Sequence, residues 1–117
     1  MDKKRLENAG IDYATGLSHF AEKEELYQKY LMKFKEDTHV DEAVAAFEKG
    51  EYQNVYEQIH ALKGLSGTLG FSMLFKETSA VVADLRRDKY DDLAQQLKGI
   101  REERDRLFQL IASEIPK

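Results

Sequence analysis

The chain has 117 residues, enough for one hydrophobic core and too few for two. Charged residues make up 34% and hydrophobic residues 42%, the balance of a globular protein built from amphipathic elements, and a net charge of −4 leaves no basic stripe for nucleic acid. The absence of cysteine excludes disulfides, thiol catalysis and most structural zinc sites.

Residues 1–9 read as a flexible or loosely packed start, and 10–117 as one domain. A short helix is expected after Asp12, a good N-cap, carrying Leu17 inward with Phe20 closing the turn. The next runs over about 23–36 with Leu26, Tyr27, Tyr30, Leu31 and Phe34 on one face. Thr38 and Asp41 have capping-box spacing and start or restart a segment with Val40, Val44 and Phe47 inward, closed at Gly50. The pattern allows either one kinked helix or two over 23–49. A helix over about 51–69 places Tyr52, Val55, Ile59, Leu62, Ser66 and Leu69 along a stripe, with Gly70 at its left-handed C-cap. A helix over about 72–87 buries Leu74, Phe75, Val81, Val82 and Leu85, with Phe71 packed at its entry. A polar turn containing Asp88 and Asp91 leads to a last helix, reaching about 114, with Leu93, Leu97, Ile100, Leu107 and Ile111 inward; Gly99 marks a bend or a close helix contact. The single proline, Pro116, breaks none of these, and no segment shows the two-residue alternation of strands. Connections of two to five residues make neighbours antiparallel. The expected fold is an all-α, up-and-down antiparallel four-helix bundle with a short additional N-terminal helix.

His60-Ala61-Leu62-Lys63-Gly64 and the following Gly67 and Gly70 form the most unusual stretch. A glycine inside a helix costs about 1 kcal/mol against alanine. With Ile59 at zero and about 100° per residue, Tyr52, Val55, Leu62 and Ser66 fall within about 60° of it. Gln53, His60, Gly64 and Gly67 fall at about 80–140°, toward solvent, and Lys63 at about 40°, where its stem can rise from the boundary. The two glycines then clear the surface around an exposed imidazole. Histidine forms covalent intermediates, and a lysine one turn away can balance the charge of an attached phosphoryl group. The plain alternative is a solvated surface histidine, with glycines that admit a neighbouring helix. The solvent-facing position of both glycines argues against the latter.

Other candidates carry less. His19 and His39 fall near helix ends without a second ligand at metal spacing, so they read as surface or cap residues and no metal site is expected. Glu24-Glu25 and Glu102-Glu103 read as solvated faces, and Arg101, Arg104 and Arg106 are balanced by Glu102, Glu103 and Asp105. Tyr27, Tyr30, Phe34, Phe47 and Phe75 read as core. With no strand there is no strand-borne phosphate loop, so no ATP site is expected. No stretch approaches the ~20 apolar residues of a membrane span. The charged Met1-Asp2-Lys3-Lys4-Arg5 leads into no apolar run, so a cytoplasmic protein is expected.

The stretch resembles the histidine-containing phosphotransfer (HPt) domains of bacterial multistep phosphorelays. That family's pattern is His, any residue, Leu, Lys, Gly, two variable small positions, Gly or Ala, one variable residue, Leu or Ile, Gly. His60, Leu62, Lys63, Gly64, Gly67, Leu69 and Gly70 match it position for position. Leu65 is larger than the usual residue and points away from His60 on the wheel. The resemblance extends to Gly10-Ile11-Asp12, Glu25-Leu26-Tyr27 and the segment from Phe71 to Leu85, covering most of 10–95; the segment between Phe34 and Gly50 is slightly short for the family.

The resemblance implies that His60 accepts a phosphoryl group on its distal ring nitrogen and Lys63 steadies it. Gly64 and Gly67 would clear the approach of a receiver domain, and Gln53 would belong to the docking surface. It implies a monomeric carrier rather than an enzyme, without a cofactor of its own. The partners would be response-regulator receiver domains or a hybrid sensor kinase, the receiver supplying aspartate and Mg²⁺. Two other readings stay open: a non-catalytic helical adaptor that docks signalling partners, and a phosphoacceptor domain excised from a larger histidine kinase.

Overall fold

A computed structural model describes residues 3–115. Its helices are α1 (Lys3–Asn8), α2 (Tyr13–Ser18), α3 (Glu24–Phe34), α4 (His39–Glu48), α5 (Tyr52–Leu69), α6 (Ser72–Arg86) and α7 (Leu93–Glu114). Among the described residues there is no strand, only one antiparallel bridge between Ile11 and Phe71. No described helix is long and apolar enough to cross a membrane. The protein is all-helical. α5 packs on α4 and α6, α6 on α7, and α7 on α4, while α3 lies against α5 and α7.

The residues that bury are those one turn apart on each helix: Tyr27, Leu31 and Phe34 on α3; Val55, Ile59, Leu62, Ser66 and Leu69 on α5; Leu74, Thr78, Val81 and Leu85 on α6. Two small polar residues sit in these seams without cost. Ser66 Oγ donates to the Leu62 carbonyl (2.7 Å) and Thr78 Oγ1 to that of Leu74 (2.7 Å), so each hydroxyl is satisfied within its own helix.

The C-terminal end of α5 is fixed from several directions. Gly70, with φ of +82°, turns the chain so that the Phe71 amide donates to the Ser66 carbonyl (2.9 Å) and the Gly70 amide to that of Gly67 (3.4 Å). The Thr68 carbonyl hydrogen-bonds His19 Nδ1 (3.0 Å), and the Leu69 carbonyl accepts from the Tyr27 hydroxyl (2.7 Å). The Gly70 carbonyl accepts from the Asp12 amide (2.7 Å). Carbonyls that a helix end leaves unpaired are therefore taken up by α2, α3 and the loop before α2. Gly16 on α2 permits this approach, because a Cβ there would run into the Tyr27 hydroxyl and lie 2.8 Å from the Leu69 carbonyl oxygen.

Several expectations change. Residues 3–8 are helical and Leu6 is fully buried, because α1 lies against α2 and α7; residues 1 and 2 lie outside the described residues, as does Pro116. Residues 23–49 form two helices. The inward face of α3 is narrower than periodicity suggests: Leu26 and Tyr30 are exposed, Tyr30 lying over Phe20 instead. On α4, Ala43 and Ala46 join Val40 in the core, leaving Val44 and Phe47 at its margin. Thr38 makes no side-chain cap bond; Asp37 takes that part, its carboxylate accepting from the His39 amide (3.1 Å). Asp12 does cap α2, accepting from the Thr15 amide (3.1 Å) and hydroxyl (2.7 Å). Tyr52 and Phe75 face outward. Tyr52 stacks on Tyr90 with centroids 4.4 Å apart.

Candidate functional site

His60 lies on the outer face of α5, one residue past the buried Ile59, and is exposed. Among the described residues neither of its ring nitrogens has a hydrogen-bond partner, which separates it from the other two histidines. His19 is tied to the Thr68 carbonyl, and His39 Nδ1 lies 2.6 Å from Asp37 Oδ1. Those two serve helix ends; His60 is presented to solvent.

Its neighbours come from its own helix and from α6. Tyr56, one turn earlier, stacks on the imidazole with centroids 5.7 Å apart and planes 15° from parallel. The Tyr56 hydroxyl accepts a 2.9 Å hydrogen bond from Arg86 Nε at the end of α6. Lys63 is half-buried along its stem, and its Nζ lies 5.9 Å from the centre of the Phe75 ring. That cation–π contact holds the ammonium at the rim of the same surface.

The glycines differ. A Cβ on Gly64 would meet nothing within 4 Å, so the helix surface next to His60 is open there. A Cβ on Gly67 would lie 3.2 Å from two carbons of the Phe75 ring. Clearance therefore describes Gly64, whereas Gly67 is bare because an α6 side chain packs across it. Gln53 is exposed two turns before His60, beside a hollow lined by Tyr52, Tyr56, Arg86 and Tyr90.

Tyr56 and Arg86 escape a reading of the sequence. The spacing of four residues between Tyr56 and His60 is visible, but nothing local marks that ring as part of the site, and Arg86 reaches it only through the packing of α6 on α5. Arg104, read as one of a balanced run of charges, is also placed differently. It is 5% exposed, paired with Asp105 (2.7 Å) and with Asp41 of α4 (3.1 Å). It ties α7 to α4 and takes no part in the surface around His60.

Comparison with protein-family models, curated proteins and solved structures finds no match for the chain.

Proposed function

We propose that this protein is a histidine phosphotransfer carrier of a multistep phosphorelay, holding a phosphoryl group on His60 between receiver-domain aspartates. The observation that carries the reading is an exposed imidazole with both nitrogens unengaged, beside open backbone at Gly64 and an ammonium at Lys63.

In this reading the Nε2 lone pair of His60 forms the N–P bond as the P–O bond of a receiver's aspartyl phosphate breaks. The aspartate carboxylate leaves with that bond's electron pair, and the reverse step charges the next receiver. Transfer of this kind needs positioning and charge stabilisation more than covalent machinery. Lys63 balances the phosphoryl oxygens, Gly64 leaves the partner room, and the end of α5 is held rigidly enough to present them. Gln53 extends the docking face. Mg²⁺ and the acidic pocket belong to the receiver, and the carrier needs no ATP site.

The architecture behind the reading is an antiparallel up-and-down bundle in which α3 and α4 together make one broken stave and α5, α6 and α7 the other three, with α1 and α2 at one end. Short connections between contacting helices support it. A monomeric cytoplasmic carrier working with response regulators or a hybrid sensor kinase completes the proposal.

Incubation with a phosphorylated receiver domain and Mg²⁺ should label the wild type and leave His60→Gln unlabelled. Equal labelling of the two rejects the proposal. Absence of labelling from any receiver, with labelling from ATP and a kinase domain, would reassign the chain to a kinase phosphoacceptor domain. Docking without labelling would make it an adaptor.

A further inference from the structure

An exposed side chain on a helix samples several rotamers, yet in-line transfer to a docked partner requires the accepting nitrogen to point one way. Neither Lys63 nor Gly64 can hold the His60 ring, since the ammonium sits over Phe75 and the glycine has no side chain. Among the described residues the ring contact made by the imidazole is with Tyr56, four residues earlier, where helical side chains meet. Tyr56 is half-buried and packed against the core, and Arg86 fixes its outer end: the Arg86 Nε donates to the tyrosine hydroxyl at 2.9 Å, and the guanidinium carbon lies 5.8 Å from the ring centre. The end of α6 thus fixes a ring on α5, and that ring lies nearly parallel to the imidazole.

We infer that Tyr56, anchored by Arg86, is a positioning residue that sets the plane of the His60 ring for phosphoryl transfer. The inference rests on reading His60 as the reacting group and adds how its direction is determined. The anchor and the stack are separable. Tyr56→Phe keeps the ring and loses the hydroxyl, Arg86→Ala loses the donor, and Tyr56→Leu loses the stack.

Two measurements on the intact chain test this. The first is the proton NMR of the His60 ring, which feels the ring current of a stacked tyrosine. The second is the dependence of transfer rate on the concentration of a phosphorylated receiver. Tyr56→Leu should move the His60 ring protons downfield and lower the saturating rate about tenfold, with little change in the receiver concentration at half-saturation. Tyr56→Phe and Arg86→Ala should each produce a smaller change in the same direction, and their combination no more than Arg86→Ala alone, because the hydroxyl bond is lost in both and only Arg86→Ala also loses the guanidinium over the ring. Arg86 is exposed, so its variant tests the idea even if Tyr56→Leu folds poorly. A Tyr56→Leu protein with native circular dichroism, unmoved ring protons and a wild-type saturating rate overturns the inference while leaving the carrier reading intact. A wild type that no receiver charges removes both.

Discussion

Gly64 and Gly67 lie three residues apart on one helix, yet the absent side chain does different work at each. Open space at Gly64 means that alanine there should raise stability by about 1 kcal/mol, the ordinary gain for glycine in a helix interior. At Gly67 the Phe75 ring, 3.2 Å from the position of a Cβ, must give way, so alanine should gain less or lose. Urea unfolding of the two variants separates the cases, and equal gains would contradict the assignment. On the proposed function, Gly64→Phe should melt near the wild type while phosphoryl transfer from a receiver falls sharply, because the added ring would project into the open space beside His60. A Gly64→Phe protein that unfolds would show that the position serves packing. The outward placement of His60 and Gly64 follows from the helical period alone. The covering of Gly67 does not. It depends on Phe75, which lies one residue off the buried row Leu74, Thr78, Val81 and Leu85 and so turns its ring out of the core.

The end of α5 combines local and distant signals. Asp12 as a cap and Gly70 as a left-handed terminator could be read directly, because each acts on backbone within a few residues. The bonds to Thr68 and Leu69 come from His19 and Tyr27, 49 and 42 residues away, and no local pattern announces them. Tyr27→Phe should therefore cost about 1–3 kcal/mol in denaturant unfolding, since it strands a buried carbonyl while keeping the ring. A neutral substitution would mean that water replaces the bond. α3 shows where periodicity overstates a face. It predicts a broad apolar side, but only the seam of Tyr27, Leu31 and Phe34 is enclosed by α5, α7 and α2, leaving Leu26 and Tyr30 outside.

The assembly of helices brings together groups that the chain order keeps apart. Arg104 of α7 reaches Asp41 of α4 from a buried position, an outcome hidden in a run of alternating charges. Glu77 of α6 faces the same helix less comfortably. Its Oε1 is buried without a hydrogen-bond partner among the described residues, and burial, then the charges of Glu103 and Glu102, push its carboxyl above the usual range. A carboxyl whose folded-state pKa is raised contributes stability fully below the unfolded value and loses it as pH rises through the folded value. Glu77→Gln should therefore raise the urea midpoint at pH 7, and its advantage should disappear toward the acid side of the carboxylate range. A variant less stable than wild type at pH 7 would show that the ionised carboxylate is used.

The phosphorelay account comes down to whether a charged His60 gives its phosphoryl group back. The direct measurement is a chase: the labelled protein, freed of its donor, is mixed with an unphosphorylated receiver domain and Mg²⁺, and the label is followed on both chains. The account predicts an acid-labile, alkali-stable label on His60 that moves to the receiver. A label that stays on the protein through the chase, or one that survives acid, would contradict it.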